Sequence, residues 1–219
     1  MKTALIIGST GLIGAQLLQN LLDNTDYEKV IAFNRTDTGI KHTKLSEKII
    51  DFDKPETYEN SIKGDDFFCT IGTTIKQAGS KESFKKVDFE YPKQFATLAS
   101  KNGVKQFLLI SSMGADSKSD SFYLKTKGEI EDFLKATTFK GIAIVRPSLL
   151  LGDRKEFRFG EKIGGFLMKT FSFLFIGKLK NYKPIQSTTV AKALELIAQK
   201  EISGFKIYNS AEIEAIANP

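Results

Sequence analysis

The sequence predicts an α/β fold of the doubly wound type, a mostly parallel sheet with helices on both faces, carrying a small C-terminal cap on the substrate side. Three observations lead there. Short β-branched apolar runs alternate with helical patterns through residue 147. The first apolar run ends in glycines spaced for a tight turn into a helix. The run Val104–Ile110 is almost continuously apolar, as a parallel strand buried on both faces must be.

Thr3–Ile7 reads as the first strand, and Leu12–Asn24 follows as a helix that buries Leu17, Leu18, Leu21 and Leu22 on one face. Strands are expected at Lys29–Phe33, Lys48–Asp51 and Asp66–Ile71. A helix from about Lys81 to Lys101 stops at Asn102-Gly103, a C-terminal stop signal. Val104–Ile110 comes next, then a helix from about Ser121 to Ala136 and the strand Gly141–Val145. Beyond Pro147 the pattern is less regular, with a helix near Thr188–Gln199 and a short strand near Lys206–Tyr208. This alternation predicts one Rossmann-type domain over 1–219. Residues 1–147 form its nucleotide-binding core, and 148–219 supply the cap with the final helix and strand.

Composition removes other classes. The 219 residues are 41% hydrophobic and 26% charged, which argues against wholesale disorder. One cysteine cannot make an internal disulfide or a cysteine-based zinc site, so a reducing, cytoplasmic setting is expected. The opening MKTALIIGSTGLIG has glycines at regular spacing and no small-residue cleavage site after it, unlike a signal peptide. No uncharged apolar run approaches the ~20 residues of a membrane span, so a soluble protein without a transmembrane segment is expected. The net charge of +6 does not read as nucleic-acid binding, because its 28 lysines are scattered and only four arginines occur.

After the first strand stands Gly8-Ser-Thr-Gly11-Leu-Ile-Gly14. One glycine permits the turn, one lets the backbone approach a pyrophosphate, and one packs the helix against the sheet. The pyrophosphate would rest on free N–H groups at the positive end of the helix dipole. A three-glycine spacing alone is weak, but its place between a strand and a helix is the context that supports it.

Tyr123 and Lys127 form a Tyr-x-x-x-Lys pair on one helix face. With six tyrosines and 28 lysines, chance alone predicts about 0.8 such pairs, so the spacing by itself decides nothing. Its position decides more. Ser111-Ser112 ends the preceding strand, at the carboxyl edge of the sheet where open α/β folds bind ligands. There the lysine charge would lower the tyrosine pKa, the phenol would exchange a proton with a carbonyl oxygen, and a serine hydroxyl would hold that oxygen.

The nucleotide type is also suggested. NAD-selective folds place an Asp or Glu at the end of the second strand to accept the ribose 2′-OH. Here Lys29–Phe33 runs into Asn34-Arg35, with no carboxylate at its end. A guanidinium binds a 2′-phosphate with charge-assisted, often bidentate hydrogen bonds, so NADP(H) is expected.

These residues together resemble the short-chain dehydrogenase/reductase family, of the atypical or extended kind. They come nearest to its Tat-interacting-protein-type oxidoreductases and their bacterial NAD(P)-binding relatives. The resemblance covers about residues 3–163 and takes in the glycine loop, Asn34-Arg35, Asp51-Phe52, Cys69-Thr-Ile-Gly-Thr-Thr74, Ala78-Gly-Ser80 and Val87-Asp88. It continues through Ser111-Ser-Met-Gly-Ala-Asp116, Tyr123-x-x-x-Lys127-Gly-Glu129 and Arg146-Pro147, to the segment from Leu150 through Arg154 and Arg158 to Glu161. The resemblance implies that Gly8, Ser9, Thr10, Gly11, Leu12 and Ile13 bind the cofactor diphosphate, with Gly14 also among the cofactor-binding residues. It implies that Asn34 and Arg35 hold the adenosine end, Asp51 and Phe52 flank the adenine, and Ile71, Gly72 and Thr73 line the central ribose region. Lys127 would also bond the nicotinamide ribose beside Tyr123. Pro147, Leu150 and Arg158 would line the nicotinamide and substrate side. The family's serine aligns with Ser111 or with Ser112, the first by its spacing to the tyrosine and the second by its place in the pair.

The expected function is that of an NADP-dependent oxidoreductase of the carbonyl reductase or alcohol dehydrogenase type, acting on a small-molecule carbonyl or alcohol. The alternative is a non-catalytic NADP(H)-sensing regulatory or protein-binding module, although such members commonly lose the tyrosine or the lysine. Cys69 reads as a buried small hydrophobe, and lone His42 as a loop residue with no metal. The phenylalanine-rich Phe166–Phe175 reads as cap core, substrate wall or dimer face, which leaves a homodimer open.

Overall fold

The computed structural model describes residues 1–152 and 183–219. Its centre is a seven-stranded sheet in which every neighbouring pair is parallel. In chain order the strands are β1 (Lys2–Ile7), β2 (Tyr27–Asn34), β3 (Leu45–Ile49), β4 (Asp66–Cys69), β5 (Gln106–Ile110), β6 (Gly141–Arg146) and, last in the sequence, β9 (Gly204–Asn209). Across the sheet they lie in the order β3-β2-β1-β4-β5-β6-β9. The order reverses between β1 and β4, and a doubly wound sheet opens its ligand crevice at such a point, above the carboxyl ends of the strands. The expected doubly wound fold is therefore present.

Both faces of the sheet are apolar because both are covered. In β1, Ala4 and Ile6 point into one core and Leu5 and Ile7 into the other. The first core is closed by Leu17, Leu18, Leu21 and Leu22 of α1 (Leu12–Asp23) and by Val190, Leu194 and Ile197 of the helix Ser187–Gln199. The second is closed by Phe95, Ala96 and Ala99 of α4 (Tyr91–Lys101), and by Ile130 and Leu134 of α5 (Phe122–Lys135). Aromatic rings fill this second layer, with Phe95 packed on Phe33, Phe52, Tyr58 and Phe67 at centroid distances of 5.2 to 6.0 Å.

At the amino edge of the strands a buried polar network ties four strands together. Asp66 accepts from the Tyr27 hydroxyl at 2.7 Å and from the Gln106 amide at 2.6 Å, and Lys2 Nζ lies 3.3 Å away. Burial pushes the Tyr27 phenol pKa up, and the neighbouring Asp66 charge adds to the shift. Gln106 then fastens this edge to the end of the Ser187–Gln199 helix, donating to Ala198 O at 3.0 Å and accepting from Ile202 N at 2.6 Å.

The strands expected at Asp66–Ile71 and Val104–Ile110 are each two residues shorter, and the one expected at Lys29–Phe33 is longer; three further elements differ more. The third strand lies at Leu45–Ile49 instead of Lys48–Asp51, because pairing with Val30–Asn34 sets its register and its own apolar pattern is weak. The helix expected over 81–101 begins as α3 (Lys81–Lys85), widens into a π-helical turn at Lys86–Glu90, and resumes as α4. The short strand expected near Lys206–Tyr208 is the six-residue β9, which joins the main sheet beside β6. Between β6 and β9 a two-stranded parallel ribbon pairs β7 (Leu150–Leu151) with β8 (Ile185–Gln186). Phe166–Phe175, Arg154, Arg158 and Glu161 lie outside the described residues. No helix among the described residues is long and apolar enough to cross a membrane.

Candidate active site

The loop from β1 into α1 crosses the switch point of the sheet. Gly8 takes φ +83°, and a Cβ there would stand 2.6 Å from Ile71 N, so no other residue fits the turn. Gly14 packs on the loop itself, where a Cβ would come within 2.0 Å of Gly8 O. Gly11 differs: a Cβ would meet only Gly8 O, at 3.2 Å, and its open side faces the cleft. Gly11 is also the N-cap of α1, with no side-chain hydrogen bond capping the helix. The first N–H groups of α1 are therefore offered to the cleft at the positive end of the helix dipole.

The cleft has two halves that share Gly11, Thr70, Ile71, Gly72 and Thr73. The half beside Arg35 encloses about 440 Å³, and its lining includes Thr10, Asn34, Arg35, Phe52 and Tyr91. Phe52 is buried edge-on to Tyr91, with centroids 5.2 Å apart, so the two rings meet in an aromatic corner of the lining. The other half encloses about 450 Å³ and brings together Ser111, Ser112, Tyr123 and Lys127 with Pro147 and Leu150. An elongated cleft with an uncapped helix terminus between its halves, a guanidinium at one end and acid–base groups at the other fits a dinucleotide.

Not every expected residue reaches the cleft. Gly14 lies beneath the loop, and Ser9 turns away to donate to Asn34 Oδ1 at 2.6 Å. Asp51 is exposed outside the lining, where it accepts from Asp53 N at 3.0 Å and faces Lys54 Nζ at 3.7 Å. Leu12 and Ile13 line the half that holds Tyr123 and Lys127. Arg158 falls outside the described residues.

The acid–base end contains a residue the sequence reading quoted but did not assign. Asp88, on the π-helical turn, lies with Oδ1 2.7 Å from Lys127 Nζ. Its other oxygen accepts from Thr73 N at 2.9 Å. The Lys127 and Asp88 side chains are only 7% and 0% exposed. Burial, the largest single influence, pushes the Lys127 ammonium down, but the groups around it, Asp88 foremost and then Tyr123 and Cys69, together outweigh it and hold the lysine pKa above its ordinary value. Lys127 is thus kept charged deep in the cleft. Cys69 lies beneath, fully buried, and burial pushes its thiol up to about 12, so it is no nucleophile.

The two serines differ in their partners. Ser111 is buried and donates its hydroxyl proton to Glu131, which in turn is gripped by Arg146, with Nε 3.0 Å from Oε1. Ser112 is half-buried, and its hydroxyl makes only a long 3.3 Å contact to Met113 O. Glu131 was invisible to motif reading, because it lies 20 residues from Ser111 in an ordinary helical pattern.

Residues 8–168 match the NAD(P)H-binding family. The chain belongs to that family. It is an atypical short-chain dehydrogenase/reductase related to HTATIP2-type proteins. Protein HTATIP2 of Rattus norvegicus is 35% identical over 164 residues, covering 73% of this chain and 67% of that protein. The mitochondrial protein FMP52 of Candida albicans is 32% identical over 206 residues, covering 91% and 89%. Among solved structures, the Bordetella bronchiseptica enzyme WbmH, in complex with NAD+, superposes with a TM-score of 0.71 at 17% identity, covering 96% of this chain and 76% of WbmH. The UDP-N-acetylglucosamine 4-epimerase of Methanobrevibacter ruminantium gives 0.70 at 16%, covering 95% and 76%. At such identities these two structures establish the fold of this NAD(P)H-binding family member and nothing finer.

The FMP52 relatives are named as mitochondrial, which overturns the cytoplasmic placement expected from composition. A single buried cysteine does not tell one compartment from another.

Proposed function

We propose that this NAD(P)H-binding family member is an NADPH-dependent reductase of carbonyl compounds, able to run in reverse on the alcohol. The observation that carries the reading is the convergence of Tyr123, Lys127 and the weakly bonded Ser112 hydroxyl on one cavity at the carboxyl ends of the strands. Gly8 to Ile13 and the α1 terminus hold the diphosphate, and Phe52 and Tyr91 wall the adenine. Arg35, which has no ion-pair partner among the described residues, meets the 2′-phosphate. A bound reduced nicotinamide supplies hydride to the carbonyl carbon.

The chain's own groups manage the proton. Ser112 donates a hydrogen bond to the carbonyl oxygen and holds it beside the Tyr123 hydroxyl. Tyr123 passes its proton to that oxygen as negative charge develops there. The Lys127 ammonium, kept charged by Asp88, offsets the charge left on the Tyr123 oxygen until a solvent proton restores the phenol.

A panel of aldehydes and ketones assayed with NADPH tests this. Tyr123→Phe is expected to lower turnover at least ~100-fold, the range of a lost general acid, with NADPH affinity unchanged. A Phe variant at full rate overturns the mechanism. An NADPH-binding protein that turns over no member of the panel favours a cofactor-sensing role instead.

A further inference from the structure

One carboxylate behind the Arg35 half of the cleft remains unexplained by this mechanism. Glu47 sits on β3, whose register pairs Ala32 with Glu47 and Asn34 with Ile49. Its Oε1 accepts from the Asn34 amide at 2.8 Å and from Thr38 N at 3.2 Å, and its Oε2 accepts from the Thr38 hydroxyl at 2.9 Å. A carboxylate can only accept, so the Asn34 NH2 group must point at Glu47 and the Asn34 carbonyl must face Ser9. Glu47 thus clasps both ends of the turn Asn34–Thr38, and Arg35 is carried between the two clasped residues. Arg35 and Asn34 line the cleft; Glu47 stands behind them and does not.

We infer that Glu47 is a positioning residue for nucleotide selectivity, fixing the Arg35 turn so that the guanidinium meets a ribose 2′-phosphate. This inference rests on the NADPH reading above. A bare carboxylate this close to the 2′-position would repel a phosphate, but here its charge is directed onto three donors. Holding the turn also limits the conformational freedom Arg35 must lose on binding, which favours affinity for the phosphorylated nucleotide alone. Through Asn34 the bonds continue to the Ser9 hydroxyl, on the face of the loop turned away from the cleft.

Calorimetric titration of the full chain with NADPH and with NADH tests the assignment. Arg35→Ala is expected to lower the NADPH-to-NADH affinity ratio about 30-fold, and Glu47→Ala about tenfold, both through NADPH. Glu47→Gln, which keeps an acceptor for Asn34 and a donor for the Thr38 hydroxyl, should stay within about threefold of the wild-type ratio. In an Arg35→Ala background, Glu47→Ala should change the ratio no further. Equal weakening of both nucleotides by Glu47→Ala, or tighter NADPH binding on losing the charge, overturns the inference while leaving Arg35's role intact. A wild-type protein without NADPH preference, or an Arg35→Ala ratio equal to wild type, overturns the NADPH reading itself and this inference with it.

Discussion

Lys127 and Asp88 form an ion pair of 2.7 Å with both side chains almost wholly out of water. Removing one member of such a pair leaves an uncompensated buried charge, which costs about 3 to 5 kcal/mol. Asp88→Ala is expected to fold with stability reduced by about that amount, measured by urea denaturation at neutral pH. The folded pKa of Lys127 is raised, so the pair's contribution is complete below the ordinary lysine value of about 10.4 and disappears as pH climbs through the higher folded value. The gap between wild type and Asp88→Ala should therefore narrow as pH climbs into the alkaline range. A gap that stays undiminished through that range would contradict this assignment.

Ser111 and Ser112 should separate in mutants. Ser112→Ala is expected to lower turnover at least ~10-fold without changing nucleotide affinity, since only the hold on the carbonyl oxygen is lost. Ser111→Ala leaves Glu131 gripped by Arg146, so its main effect should be a stability loss of about 1 kcal/mol. Parallel rates and denaturation curves decide it, and a larger rate loss at Ser111 would reverse the roles.

The glycines of the phosphate loop should divide likewise. Gly14→Ala forces a Cβ to within 2.0 Å of Gly8 O, so melting temperature and nucleotide affinity should both fall. Gly11→Ala places its methyl toward the cleft and touches only Gly8 O at 3.2 Å. It should melt near wild type yet bind either nucleotide at least ~10-fold more weakly, because backbone approach to the diphosphate is lost. Gly11→Ala binding with wild-type affinity would move the diphosphate off this loop.

The strand–helix alternation was legible because both faces of the sheet are covered, which writes continuous apolar runs such as Phe107–Ile110 into the chain. The edge strand β3 was misplaced by three residues at its start, since its burial pattern carries little apolar signal and its register comes from β2. The glycine loop, Tyr123 and Lys127 were readable as local spacings. Asp88, Glu131 and Glu47 were not, because each acts on a partner 39, 20 or 13 residues away, across elements whose juxtaposition only the packed sheet creates. The serine choice stayed open for the same reason: it turns on Glu131 and Arg146, not on anything beside Ser111.

The wide turn at Lys86–Glu90 has a consequence for how this helix tolerates changes of length. A π turn equals one extra residue in a regular helix, and each residue of an α-helix advances the side-chain direction by roughly 100°. Phe84, which packs on Tyr123 before the turn, and Phe95, which packs in the aromatic layer after it, are thereby both directed inward, with Asp88 between them. Deleting any one residue of Lys86–Glu90 would let the helix wind evenly but swing one of these anchors out of its aromatic contacts. Substitutions along the exposed side of this stretch should therefore be accepted far more readily than a single-codon loss, and relatives of different length are expected to place their gaps elsewhere in the chain.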